Sequence, residues 1–429
     1  MLSIRRDSLR TRIGLTALVV ALVVSATAIW WWVRRDPEQD RPAVTVDLGS
    51  VGGAAEAEAA GVITSPKTGS SDRDWTIHTS GNKGNLPELW SQPTAYGPVL
   101  LSHADLEETS EEQASTAGTA VISVEPSTGE ARWYRSLMPT IDLQDGYGNN
   151  FRFPQAHGLR ASPDGEHIAV LLSPIPGGGS DRPGPRTVVV LSAKTGEVVR
   201  TVESRDHVLS MVLTDEALSV QTSPNLAAEG STISTYSLSS PKAKPAHWSP
   251  KGWLVGSTGS TVMLSPRSDM TRNGDLCGED ACPVMTVSLA DPVSGKQQRS
   301  IDGVYRVFPS GWVERFPDPA RSSRIAPDSQ EWFEERRELV DLASGSPIDI
   351  TGLAVEPVIT MTGFVWLLQT PSWWETSDGP NLNLTPSSWI SAIPGGDRTQ
   401  HKSAFKAITV DGNYTYSAVY REPQLMGSS

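Results

Sequence analysis

Only two cysteines occur in the 429 residues, and seven histidines stand singly. Cys277 and Cys282 enclose Gly-Glu-Asp-Ala, and no further Cys or His lies in residues 267–283, so a metal site there lacks its ligands. Outside the cytoplasm two thiols this close are expected to form a small structural disulfide, with a redox pair as the alternative. His78, His103, His157, His167, His207, His247 and His401 do not show the two-His helical spacing of a metalloprotease. Residues 74–421 carry no block of Lys or Arg, and the net charge is −13, so the basic footprint that nucleic acid requires is missing. No Gly-x-Ser-x-Gly elbow supports a hydrolase nucleophile, and Gly177, Gly178 and Gly179 lack the Lys of a phosphate loop. Asp142, Asp145, Asn149 and Asn150 supply oxygens without the spacing of a helix–loop–helix calcium site. No cofactor is implied.

Helical segments between the apolar runs are absent too, and this directs attention to what recurs. Residues 121–133, VISVEPSTGEARW, are two alternating apolar strands around a corner at Ser127, Thr128 and Gly129. A Gly after a small polar residue supplies the positive φ of a tight corner. Similar hairpins follow at residues 188–202, 285–300 and 338–350, with weaker ones at 232–241 and 388–398. From Gly129 the corners at Gly196, Ser240, Gly295, Gly345 and Gly395 come at steps of 67, 44, 55, 50 and 50 residues. Two more strands precede each corner; in the second unit they flank the Ser-Pro-Asp-Gly turn at residues 162–165. A drifting period near 50, carried by strands alone, predicts propeller blades. Six units result. A seventh is expected from N-terminal residues 74–80 paired with C-terminal residues 404–410 and 414–420, closing the ring and removing its exposed edges. The fold class expected is thus all-β, a seven-bladed β-propeller over residues 74–421, closed by N- and C-terminal strands. Residues 422–429 form a tail, and most of the 14 Trp are expected to wedge between blades.

Ahead of the propeller, residues 1–12 form a basic tail with Arg5, Arg6, Arg10 and Arg12. Residues 13–33 carry no charge and end in Trp30, Trp31 and Trp32 before Arg34 and Arg35. This predicts a single transmembrane helix, an uncleaved signal anchor with the N-terminus cytoplasmic and the bulk of the chain extracytoplasmic. A signal peptide cleaved near Ala26-Thr27-Ala28 is the rival. Residues 34–73, rich in Ala, Gly, Glu, Ser and Pro, are expected to be a flexible tether.

The connections between second and third strands carry the functional expectation. They span residues 105–118, 173–186, 223–230, 266–281, 317–335 and 371–387, and five of the six have 14 residues or more. In a propeller they emerge on one face, opposite the tight corners, and long loops of this kind are commonly functional. Trp332 in the fifth, and Trp373, Trp374, Glu375, Asn381 and Asn383 in the sixth, are candidate binding residues, since aromatics beside polar groups suit protein or sugar contacts. Folding back onto their own blade is the alternative.

The hairpin at residues 121–133 follows an Asp-x-x-Thr-Gly-x-x-x-Trp pattern with Glu125 in place of Asp. With residues 188–202 and the turn at 162–165, it resembles quinoprotein-like and WD40-like β-propeller repeats of bacterial envelope proteins. The likeness covers most of residues 87–398 and implies fold only. Quinone-cofactor dehydrogenases of that kind use adjacent cysteines, and Cys277 and Cys282 are not adjacent. The Trp-rich anchor and the Pro/Ala/Gly tether look like those of actinobacterial membrane proteins. The expected function is a membrane-anchored binding or scaffold module, held in the lipid bilayer by residues 13–33, that meets an envelope protein or glycan through its long-loop face. The alternative is an extracytoplasmic hydrolase or lyase with its site at the central channel.

Overall fold

The computed structural model of the chain describes residues 46–59, 62–66, 75–79, 88–103, 119–125, 130–138, 159–172, 186–224, 229–267, 283–308, 311–322, 325, 329–360, 363–369, 372–376, 379–383, 389–392, 399–401 and 415–418, with the strands before residue 92 and after residue 353 described by their backbone. The basic tail, the expected span at residues 13–33, the cleavage site, both cysteines and residues 422–429 lie outside the described residues. Among the described residues no helix is long and apolar enough to cross a membrane.

Strands dominate, and they fall into successive antiparallel meanders of four. The first unit is Glu88–Thr94, Gly97–His103, Thr119–Val124 and Ala131–Leu137. The second is Leu159–Ala161, His167–Leu172, Arg186–Ser192 and Val198–Ser204. The third is His207–Leu213, Ala217–Ser223, Thr232–Ser237 and Ala246–Trp248. The fourth opens with Trp253–Ser257, Val262–Ser265 and Met285–Ala290. Its outer strand is the first part of Gln297–Phe308, whose last part is the first strand of the fifth unit. That long strand joins the two units into one seven-stranded sheet. The fifth continues with Trp312–Arg315, Glu338–Asp341 and Pro347–Asp349. The sixth is Ala354–Thr360, Gly363–Gln369, Trp389–Ala392 and Thr399–His401. The chain is all-β and propeller-like, since four-stranded meanders in sequence order are the blades of that architecture.

The inner strands are apolar without alternation. His207–Leu213 is buried at every position, as expected of a strand covered on both faces. The core therefore runs between sheets. One cluster joins Val121 and Trp133 of the first unit to Val170 and Val189 of the second. The next joins Val190 and Val202 to Val208 and Val220, a third Ile233 to Val262, and a fourth Val287 to Val340. First strands of successive units touch from the first unit to the fifth, and Ala354–Thr360 of the sixth lies against the first two strands of the first.

The two ends of the folded part meet as expected. Trp75–Thr79 pairs antiparallel with Thr415–Ala418, Ile77 opposite Tyr416, and Val62–Pro66 pairs with its other edge. This sheet has three described strands; the expected strand at 404–410 lies outside the described residues.

Part of the expected tether is docked. Asp47 exchanges both backbone hydrogen bonds with Met138, and Gly52 does so with Tyr134, along the outer edge of the first unit. Arg135 donates to the carbonyls of Leu48 at 2.6 Å and Gly49 at 3.0 Å. The short helix Ala54–Ala59 follows, and its Ala57 is buried against Leu100, Ile122 and Val124. Small side chains and backbone pairing carry this contact, and neither leaves a periodic trace in sequence.

Candidate functional site

All six connections predicted to be the second-to-third links do fall there, between His103 and Thr119, Leu172 and Arg186, Ser223 and Thr232, Ser265 and Met285, Arg315 and Glu338, and Gln369 and Trp389. Among the described residues, two of them contain structure of their own. In the fifth, Pro319–Ser322 and Gln330–Glu334 are short helices. Ser329 caps the second by accepting a hydrogen bond from the Trp332 backbone N–H at 3.1 Å, the use a small hydroxyl side chain has at that position. In the sixth, Ser372–Thr376 and Gly379–Asn383 form a separate two-stranded hairpin where a loop was expected.

Trp332 does not present itself on this face. It is 7% exposed and stands edge-on to Phe333, with ring centres 4.7 Å apart, and to Tyr305, with centres 5.8 Å apart. The helix turns both aromatics inward onto Tyr305 and Phe316, so the connection folds back on its own unit. Beneath the Trp332 ring, 3.7 Å from its centre, lies the guanidinium of Arg337, which is fully buried. Arg337 donates to the carbonyls of Leu353 at 2.6 Å and Ile350 at 3.2 Å, and to the Tyr305 hydroxyl at 3.4 Å. Burial first, and the nearby Glu314 carboxylate second, push the Tyr305 hydroxyl well above the usual phenol range. Glu314, itself 2% exposed, pairs with Arg306 at 3.3 Å. One strand over, Glu338 holds Arg315 at 2.7 Å and Arg336 at 3.1 Å. This charged lattice was missed in sequence because Arg336 and Arg337 lie in a run of Glu and Arg that looks like a solvated surface.

In the sixth connection the register sets Trp373 opposite Leu382, Trp374 opposite Asn381, Glu375 opposite Pro380 and Ser372 opposite Asn383. Strand alternation puts Trp374, Asn381 and Asn383 on one face of the hairpin, and Trp373 and Glu375 on the other. The expected disulfide and the calcium candidates Asp142, Asp145, Asn149 and Asn150 lie outside the described residues.

The opposite face is trim. The turn at Ser162–Gly165 closes with Gly165 N–H on the Ser162 carbonyl at 2.8 Å. Its Asp164 N–H donates to Asp215 Oδ1 of the third unit at 3.0 Å, and Asp215 N–H donates to the Gly259 carbonyl of the fourth at 3.0 Å. The Ala95 N–H of the first unit reaches the Gly165 carbonyl at 3.1 Å. Burial, and then the charge of Asp164, raise the Asp215 carboxyl above its ordinary value. These turns hold the first four units to one another. On the outer rim of the third, Ser234 Oγ meets His247 Nδ1 at 2.8 Å as a cross-strand neighbour. Among the described residues no group of three His, Cys, Asp or Glu is placed to hold a metal.

No family model matches this chain, and no curated protein matches it. Solved structures do resemble it. BamB from Moraxella catarrhalis is 12% identical with a TM-score of 0.30, over 80% of this chain and 98% of that one. The β-propeller domain of the Trilobed protease from Pyrococcus furiosus is 9% identical with a TM-score of 0.37, over 73% and 87%. The WD40 domain from Toxoplasma gondii coronin is 11% identical with a TM-score of 0.31, over 81% and 78%. Likenesses this distant say nothing of ligand or activity.

Proposed function

We propose that this chain is a membrane-anchored, extracytoplasmic β-propeller that docks an envelope protein on the face carrying its second-to-third connections. The anchor is the uncharged segment 13–33 beside its Trp and Arg belt. The ring is the six four-stranded units together with a seventh made where the two ends pair. The observation that carries the reading is the hairpin Ser372–Thr376 and Gly379–Asn383, an ordered pair of strands built into a connection that the sheet itself does not require. The register sets Trp374 opposite Asn381, and tryptophan is enriched among the residues that carry binding energy at protein interfaces. A glycan is the second reading, since tryptophan and asparagine residues in one hairpin also suit a sugar ring.

The test is recovery of partners from membranes with the full chain and with a chain whose residues 371–387 are replaced by a short Gly-Ser linker. Loss of a specific protein from the second supports docking on this face. Equal recovery from both refutes it.

A further inference from the structure

Two interfaces between units are built alike. Trp133 of the first unit stands over the corner glycine Gly196 of the second, and its indole N–H donates to the Ala193 carbonyl at 2.9 Å. Trp248 of the third stands over Gly295 of the fourth, with its indole N–H on the Pro292 carbonyl at 2.9 Å. Counting back from the two glycines aligns the facing walls. Val189 and Leu191 lie seven and five positions before Gly196, and Ser288 and Ala290 lie seven and five before Gly295. Val189 pairs with Val170 and Ser288 pairs with Leu264, so Leu264 and Pro266 stand where Val170 and Leu172 stand.

The two walls differ in what covers them. Val170, Leu172, Val189 and Leu191 are buried, and the chain's own Val46 and Leu48 pack against their cluster. That segment is fixed by the backbone bridges at Asp47 and Gly52 and by Arg135. In the fourth unit the matching wall is open: Leu264 and Ser288 are half-buried and Pro266 is exposed. The third unit's outer strand stops at Trp248, two residues before Pro250, which has no N–H with which to extend a ladder. A cleft of about 430 Å³ remains between the wall, Trp248 and Lys251.

We infer that this cleft receives an extended peptide segment of a partner protein, its apolar side chains covering the wall as Val46 and Leu48 cover the cluster of the first two units. Leu264, Ala290 and the Trp248 ring offer room for small apolar side chains. The exposed Lys251 at the rim favours an acidic residue. Val46-Asp47-Leu48 has that alternation of apolar and acidic residues and is the precedent within the chain. The site lies away from the sixth-unit hairpin, so it stands or falls separately.

The probe is a fluorescent peptide with the sequence of residues 44–52, VTVDLGSVG, titrated against the full chain in detergent. Expected are saturable binding, a loss of at least tenfold in Ser288→Trp, which fills the cleft, and a several-fold loss in Lys251→Glu. Ser288→Val, which copies Val189, is expected to bind at least as tightly as the unaltered chain. Absence of binding to the unaltered chain overturns the inference, as does affinity unchanged in Ser288→Trp at an unchanged melting temperature. If Ser288→Trp does not fold, Lys251→Glu decides, and equal affinity there overturns it. Capture of an oligosaccharide in the cleft in place of the peptide overturns it too.

Discussion

At the scale of single residues, Arg337 is the clearest case of a charge kept inside by several partners at once. Its guanidinium lies under Trp332 and holds the Leu353 and Ile350 carbonyls. Arg337→Met keeps the length of the side chain and removes every donor. A buried acceptor left without its partner costs about 1–3 kcal/mol, and a desolvated cation–π contact contributes about 2 kcal/mol. The variant is expected to lose about 3–5 kcal/mol, read as a shift of the urea midpoint. An unchanged midpoint would show that the lattice around Tyr305 holds without its cation. The sequence marked Trp332 as notable but not which way it faces. A five-residue helix set by the Ser329 cap decides that, and an aromatic that covers an arginine has the same spelling as one that covers a ligand.

Among elements, the hairpin corners show why the repeated pattern has the residues it has. Asp291 Oδ1 accepts the Ser294 N–H and hydroxyl, both at 2.7 Å, while Gly295 N–H returns to the Asp291 carbonyl at 2.9 Å. Asp341, Ser344 and Gly345 repeat this. The corner then presents a bare glycine to the previous unit. Trp133 covers Gly196 and Trp248 covers Gly295, whereas Arg299 stands at Gly345 and Arg200 holds the carbonyls of Ser237 and Ser240 at the third corner. Tryptophan and arginine thus alternate as the side chains that lock successive units. At Gly196 φ is +72°, and a Cβ would fall 2.7 Å from the Trp133 ring. Gly196→Ala adds left-handed strain of about 1–2 kcal/mol to overpacking of about 1–3 kcal/mol. A loss of about 2–5 kcal/mol in a denaturant titration is expected, and a change under about 0.5 kcal/mol would refute the lock. The third corner was placed early by the sequence, near Ser239 and Ser240, while its outer strand begins at Ala246. With serine instead of glycine and prolines at 241 and 245, that corner is wide, and the strand it delivers has only three residues.

For the whole molecule, the joining of the two ends is the feature most open to a direct test. Ile77 and Tyr416 face each other across antiparallel strands, where Cα atoms stand about 4.5–5.5 Å apart, within the span a disulfide bridges. In a chain with Cys277 and Cys282 replaced by Ser, Ile77→Cys with Tyr416→Cys is expected to cross-link on mild oxidation and to migrate as a compact monomer on a non-reducing gel. Trp75→Cys with Thr415→Cys, which are not register partners, is expected to stay open. The reverse result would dismantle the pairing.

The sequence by itself determined the four strands of each of the six units, the place of each long connection and the positive-φ glycines at Gly196, Gly295 and Gly345, because alternation and turn chemistry act over a few neighbours and are written locally. It also marked both ends as partners, since a sheet edge needs something to close it. Only the tertiary structure decided that residues 46–59 lie along the first unit, that Trp332 turns inward over Arg337, and that the wall of the fourth unit stays open where its counterpart in the second is covered. Those outcomes depend on backbone edges, small buried side chains and the facing surface of another unit, and none of these is a property of the residues next in line.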